Sequence, residues 1–391
     1  LGAPVRRVEL GPEGVRLHVA DEPEPRTADY VVYALPAAAW DTVPAFTPWE
    51  APKAARWDRM SLRQWLDRHK MSTLARAAIE ATLANNNAEP THRQSYLANL
   101  ALVAGGGFDG SGRKKTANFW DLTEVFRCER GNQELAECLR RYVEGRRGED
   151  NRVELGAPVR RVELGPEGVR LHVADEPEPR TADYVVYALP AAAWDTVPVM
   201  PAIPAEMRMN VGPVVKFLTR VRRRFWIREA LAPSATSDVC GEMWEGTDNQ
   251  MTAGDEGLEL TLFAGGDAAQ AAIDQGDPTS WYHRHISQMY PGYVANALDH
   301  RFVNWPSDPH IRGGYSCPLP GQVTKIGPFL NGMYQGRMAF AGEHACLAFF
   351  GYMEGALESG LRAALRIAHA SHTVPAHHVA EFRKAAAAAG V

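Results

Sequence analysis

Apolar and polar positions along this chain fall into blocks of two different periods. Val159, Val162 and Leu164 alternate with polar neighbours, a Gly-Pro-Glu-Gly turn spans Gly165 to Gly168, and Val169, Leu171 and Val173 alternate again. That pattern predicts a β-hairpin. Tyr184 to Pro190, YVVYALP, runs without a polar break, as a strand covered on both faces does. Val211 to Phe217, VGPVVKF, predicts another buried strand, with one lysine among its apolar residues. Met338, Ala339 and Phe340 read as the end of a buried strand, and Gly342 and Glu343 as a tight turn bearing a carboxylate. Beyond them the period lengthens. Ala356, Leu357, Gly360, Leu361, Ala364, Leu365 and Ile367 recur at helical spacing with Arg362 and Arg366 off that face, predicting a helix whose apolar side lies on a sheet. Its first turn, at Gly351-Tyr352-Met353, would offer unpaired N–H groups and the positive end of the helix dipole to a ligand that carries or develops negative charge.

Pro48 to Gly107 reads as helical. Ser61-Leu62-Arg63-Gln64 has the signature of a helix N-terminus, and Leu74, Ala75, Ala78, Ile79, Ala81 and Thr82 continue the period. A shorter helix is predicted after Gly131, where Leu135, Leu139 and Val143 recur. Leu1 to Pro44 is repeated, residue for residue, as Leu155 to Pro198, with unrelated sequence between. A stacking architecture repeats at short periods and varies at its ends, so two distant identical copies point instead to recent duplication, rearrangement or artefact.

Composition narrows the class. Length and a 45% hydrophobic content give ample core for two or three interleaved domains. The net charge of -5 and the absence of any basic tract longer than Arg222-Arg223-Arg224 or Arg113-Lys114-Lys115 argue against nucleic acid. No apolar run approaches the roughly twenty residues that span a bilayer, and no signal-peptide pattern opens the chain, so a cytoplasmic protein is expected. The five cysteines are odd in number and lack metal-ligand spacing, which fits reduced thiols and no metal.

The stretch FAGEHACLAFFGYMEGALESGLRAA, from Phe340, resembles the FAD-dependent amine oxidases, the family of the monoamine oxidases and L-amino acid oxidases. The resemblance implies flavin contacts from Gly342, Glu343, Gly351, Tyr352, Met353 and Ala356, the acidic turn meeting the ribityl chain and the helix start facing the pyrimidine edge. It places Val159 against the adenine, Lys216 on a water beside flavin N5, and Trp305 against the isoalloxazine. Tyr315 and Tyr352 become the walls of an aromatic cage for the substrate amine. Relatives that link their flavin covalently do so through a cysteine directly after two glycines; here Tyr315 stands there and Cys317 follows two positions on, so non-covalent FAD is implied. The family's dinucleotide-binding unit needs G-x-G-x-x-G between a strand and a helix. The single formal match, Gly105, Gly107 and Gly110, is followed by SGRKK and reads as a basic loop, so this unit is not found in the sequence.

The fold class that follows is mixed α/β: a Rossmann-like FAD-binding domain interleaved with a mixed-sheet substrate domain and a helical subdomain. The corresponding segments are 1–44, the duplicate; 45–125, the helical substrate subdomain; 126–205, part of the FAD-binding domain; 206–330, the substrate-binding domain; and 331–391, the C-terminal part of the FAD-binding domain. The activity implied is oxidation of the C–N bond of an L-amino acid, or of a related primary amine, by hydride transfer to flavin, with O₂ as acceptor and H₂O₂ as product. Two alternatives stand beside it: an oxidase of amines that are not amino acids, and an inactive or partner-dependent scaffold lacking the pyrophosphate cradle. A homodimer, or a second chain supplying the nucleotide-binding unit, is the partner expected.

Overall fold

The computed structural model describes residues 42–106, 130–145, 152–247 and 257–372, the strands within residues 5–28, and the single positions 39, 128 and 377. Its helical layer holds α1 (Ala54–Asp58), α2 (Leu62–Leu66), α3 (Thr73–Asn86) and α4 (Tyr96–Gly106). Ser61 caps α2 as its sequence predicts: its hydroxyl accepts from Gln64 N–H while the Gln64 side chain accepts from Ser61 N–H. α4 is buried from Tyr96 through Gly105. A β-carbon on Gly105 would lie 2.5 Å from the Ala348 carbonyl oxygen, so this glycine is where a helix closes on a neighbouring backbone and not the opening of a phosphate loop. Gly107 and Gly110 lie outside the described residues. α3 departs from the expected packing, since Leu74 is 77% exposed and its buried residues are Leu83 and Asn85.

The described strands of the two copies are arranged alike. β1 (Val5–Gly11), β2 (Gly14–Val19) and β3 (Arg26–Ala28) form an antiparallel sheet, and β4 (Val159–Gly165), β5 (Gly168–Val173) and β6 (Arg180–Ala182) form another with the same register. Only the second gains a described fourth strand, β8 (Val199–Met200), parallel to β4. Ahead of that copy the helix predicted after Gly131 is α5 (Gln133–Glu144), with no buried residue.

Among the described residues the two larger hydrophobic cores are interleaved in sequence, and a small third one joins Ala339, Ala341 and Ala363. Of the larger two, one joins residues 43–104, 162–211 and 317–350; the other is built from 215–293, the centre of a five-stranded sheet. That sheet contains β9 (Val214–Val221), β10 (Ser234–Ser237), β11 (Gly241–Glu245), β12 (Leu258–Gly265) and β13 (Ala297–Asn304), antiparallel throughout in the order β10-β11-β12-β9-β13. Helices α6 (Gly266–Ile273) and α7 (Pro278–Met289) cover one face, where Phe217 stacks on Tyr282 with ring centroids 4.8 Å apart. Val215, Phe217, Thr219 and Val221 point to that core; Lys216, between them, points to the other face.

α8 (Gln322–Leu330) returns the chain to the first core, and β7 (Val185–Tyr187), β14 (Met333–Tyr334) and β15 (Met338–Phe340) form a small sheet in which β15 runs parallel to β7. The turn after β15 leads into α9 (Met353–Ala370). α9 inverts one expectation. Its buried residues are Gly355, Glu358, Ser359 and Ala363, whereas Met353 and Leu357 are 58% and 51% exposed and Ala356 and Ala364 are exposed too. The inward face joins Ala363, packed with Ala339 and Ala341, to polar residues that the turn supplies with partners. Ser359 Oγ accepts from Gly342 N–H and donates to Gly342 O, and Arg362 donates to Glu358 and to Ala345 O. Among the described residues no helix is long and apolar enough to cross a membrane, no group of three or more potential metal ligands occurs, and all five cysteines are free.

Candidate active site

Glycines bring the loop at Gly313–Ser316 onto the start of β9. A β-carbon on Gly314 would meet Val214 Cγ2 at 2.3 Å, and one on Gly212 would meet the Ala88 carbonyl oxygen at 1.9 Å. With no side chain at either position, Gly212 N–H donates to Tyr315 O (3.0 Å) and Gly314 N–H to Gly212 O (2.8 Å), while Val211 bridges Ser316. Tyr315 is thereby laid beside the strand that carries Lys216. Its hydroxyl donates to the Asn86 carbonyl at the end of α3 (2.7 Å), its ring lies against Gly351, and burial pushes its phenol well above the usual range. Tyr352, Cys317, Glu242 and Glu343 add to that upward push.

Glu343 fastens the loop to the start of α9. Its carboxylate accepts from Ser316 N–H (3.0 Å), Ser316 Oγ (2.6 Å) and Gly351 N–H (2.6 Å). Burial raises its pKa and these three donors oppose the rise. Gly351 has φ +82°, which favours glycine, and its N–H is turned onto the carboxylate. Tyr352 is the N-cap of α9 in an extended conformation, so the helix starts at Met353, two residues later than the sequence suggests, with no side-chain cap on its first N–H groups. His344 is 3% exposed, edge-on to Trp194, and its Nε2 has no protein partner.

Lys216 occupies a cross-strand row on the sheet face away from α6 and α7. The registers pair Lys216 with Phe263 and Val303, and Phe263 in turn with Glu242. Lys216 Nζ lies 5.8 Å from the centroid of Phe263 and 5.9 Å from that of Trp244. The strand itself is Val214–Val221, shifted from the predicted 211–217 because Gly212 and Pro213 belong to the crossing and not to the ladder. Trp305 follows directly on β13, two positions after Val303.

Of the residues singled out in the sequence, Tyr315, Gly342, Glu343 and Gly351 meet at one junction, Tyr352 follows as the N-cap of α9, Lys216 lies two positions along the strand whose first residue packs against Gly314, and Trp305 follows an adjacent strand. Met353 and Ala356 are on the exposed side of the first turn of α9. Val159 opens β4 in a separate sheet, paired with Val173. Glu242, Trp244, Phe263 and Ser316 were not anticipated. The first three have no local motif and join the site only through strand register; the bond from Ser316 to Glu343 links positions far apart in sequence.

The junction suits the ring end of a flavin on three counts: an uncapped helix start, a recessed face with aromatic rings and a lysine, and a buried imidazole nitrogen left for a ligand or water.

A family profile described as flavin containing amine oxidoreductase matches residues 57–368. Flavin-containing amine oxidase A of Equus caballus is 26% identical over 358 residues, covering 84% of this chain and 62% of the relative. Flavin-containing amine oxidase B of Sus scrofa is 27% identical over 368 residues, covering 85% of this chain and 64% of its own. This chain therefore spans a little over three fifths of the length of either relative. Among solved structures, a triple mutant of putrescine oxidase superposes with a TM-score of 0.72 at 21% identity, over 85% of this chain and 73% of that one. Cyclohexylamine oxidase from Brevibacterium oxydans superposes with a TM-score of 0.68 at 20% identity, over 95% and 82%.

Proposed function

Because the chain belongs to the family of flavin-containing amine oxidoreductases, whose cofactor is FAD, we propose that it is an oxidase of primary amines holding its FAD without a covalent link. FAD, when bound, supplies the acceptor for the hydride leaving the amine-bearing carbon, and O₂ takes the electrons onward to give H₂O₂. The residues that would hold its ring end are Gly342, Glu343, Gly351 and Tyr352 at the start of α9, with Lys216 and Trp305 on the opposing sheet.

The observation that carries this reading is the position of Lys216, held over the rings of Phe263 and Trp244 on the strand whose first residue packs against Gly314, next to Tyr315. Its ammonium would hold a water and place positive charge where O₂ is reduced. Tyr315 and Tyr352 would wall the amine and exclude bulk water, Tyr315 being fixed through its hydroxyl to Asn86 O. Amines are favoured over L-amino acids, towards which the sequence motifs lean, because the relatives are amine oxidases.

The test is a visible spectrum followed by a peroxide assay. Flavin bands near about 375 and 450 nm that leave the protein on acid precipitation are expected, together with peroxide release from primary amines. Lys216→Met should retain the bands and lose peroxide turnover by roughly 100-fold, the scale seen when a positioned charge is removed. A protein that stays colourless after incubation with FAD, or a Lys216→Met variant as fast as the parent, would refute the reading.

A further inference from the structure

The two tyrosines of the junction stand next to residues that one buried carboxylate holds. Tyr315 precedes Ser316, Tyr352 follows Gly351, and Glu343 accepts from both of those neighbours. Its Oε1 takes Ser316 N–H at 3.0 Å, and its Oε2 takes Ser316 Oγ and Gly351 N–H, each at 2.6 Å. Three of the roughly four acceptor positions of the group are thus filled by the protein. Bonds to a carboxylate are short and strong, so they fix the loop at Gly313–Ser316 and the start of α9 at one separation. The carboxylate is itself held in place. Gly342, with φ +129°, turns the chain ahead of it, and Ser359 Oγ on the inner side of α9 bonds both Gly342 N–H (2.9 Å) and Gly342 O (2.8 Å). The far side is anchored too: Tyr315 donates to Asn86 O, and its ring lies against Gly351, where a β-carbon would come 3.0 Å from Tyr315 Cδ2.

We propose that Glu343 is a positioning residue that sets the gap between Tyr315 and Tyr352 and so the width of amine admitted, a role that rests on the amine-oxidase reading above, in which these two rings wall the reacting nitrogen. A brace needed only for folding is made at lower cost from apolar side chains, since burying a carboxylate strips its hydration. What the carboxylate adds is a set of directional bonds to two backbone positions, one beside each ring. Ser316 and Gly351 belong to separate segments, a loop bridged to Val211 and the turn before α9. Weakening the carboxylate's hold on either one therefore lets the two rings part while the hydrophobic cores stay as they are.

The experiment compares 1-aminobutane, a slender primary amine, with benzylamine, a broad one, for the FAD-loaded parent, Ser316→Ala and Glu343→Gln. Ser316→Ala deletes a single bond to the carboxylate, and Glu343→Gln puts an amide nitrogen that cannot accept where an oxygen accepted. The ratio of kcat/KM for benzylamine to that for 1-aminobutane should rise roughly threefold in Ser316→Ala and roughly tenfold in Glu343→Gln, the scale of one and of two lost hydrogen bonds, chiefly through a lower KM for benzylamine. A ratio that falls in either variant, or that stays unchanged in both while the two amines lose rate in parallel, would reduce Glu343 to a structural brace and overturn the proposal. A second measurement needs no turnover. In protein labelled with 3-fluorotyrosine, the fluorine resonances assigned to Tyr315 and Tyr352 through their Phe variants should both move or broaden in Ser316→Ala, while those of Tyr282 and Tyr293 in the second core stay in place; resonances of the junction that do not respond would also overturn it. Should neither amine yield peroxide while the two resonances still respond together, the oxidase reading falls and the carboxylate's hold on the gap stands.

Discussion

His344 carries a pH dependence that a single side chain can explain. It is 3% exposed, and burial lowers its pKa from 6.5 to about 4. Between those values the unfolded chain binds a proton that the folded chain refuses. The stability contributed by the neutral imidazole is therefore complete above pH 6.5 and is lost as pH falls towards 4, by about 2 kcal/mol at pH 5. Urea midpoints at pH 7 and pH 5 should show this loss in the parent and much less of it in His344→Gln; equal acid sensitivity in both would remove His344 as the source. Backbone contact decides the neighbouring case. Gly212→Ala drives a methyl group into the Ala88 carbonyl, so a loss of about 2–3 kcal/mol is expected, together with weaker flavin retention as Tyr315 is pushed off β9. An alanine variant as stable as the parent, measured by denaturant unfolding, would show that the crossing is looser than described.

Elements are joined here by a few buried polar groups. Asp58, at the end of α1, accepts from Ser95 Oγ, from Val323 N–H and from both Thr324 N–H and Oγ1, so one carboxylate ties α1 to α4 and fills the N-terminal donors of α8. Asp58→Ala strands those donors in a buried site and should cost about 3 kcal/mol in denaturant unfolding; a cost under about 1 kcal/mol would mean that water replaces the carboxylate. None of these links is local, and this sets what the sequence could reveal. The Ser61–Gln64 cap and the turn from Gly165 to Gly168 were readable because each is decided within a few residues. The strand, turn and helix from Met338 to Ala370 were readable for the same reason. The orientation of α9 was not: its apolar positions suggested one inward face, while Ser359 and Arg362 are drawn to the opposite side by backbone groups of the turn. Nor was Glu242, which reaches the site only through pairings of β11 with β12 and β12 with β9.

At the scale of the whole molecule, apolar side chains collect on surfaces that have no described cover. Leu135, Leu139, Tyr142 and Val143 on α5 are each at least 41% exposed, as are Met353 and Leu357 on α9 and Val186 on β7. Exposure predicts tolerance. Leu139→Ala and Leu357→Ala should each change folding stability by less than about 0.5 kcal/mol, whereas Phe217→Ala, in the second core, should cost about 3–5 kcal/mol. A large loss at Leu139 or Leu357 would mean that another surface covers it in solution.

The duplicated hairpin sets up an experiment of its own. Both copies yield the peptide VELGPEGVR, from Val8 to Arg16 and from Val162 to Arg170, chemically indistinguishable yet placed in two different sheets. Only the later one has a described neighbour on its outer strand edge, where β8 accompanies β4. Deuterium uptake measured on that mass should divide into a fast and a slow isotopic envelope of equal weight, making one molecule report simultaneously on a stretch of chain with its flanking strand and on the same stretch without it.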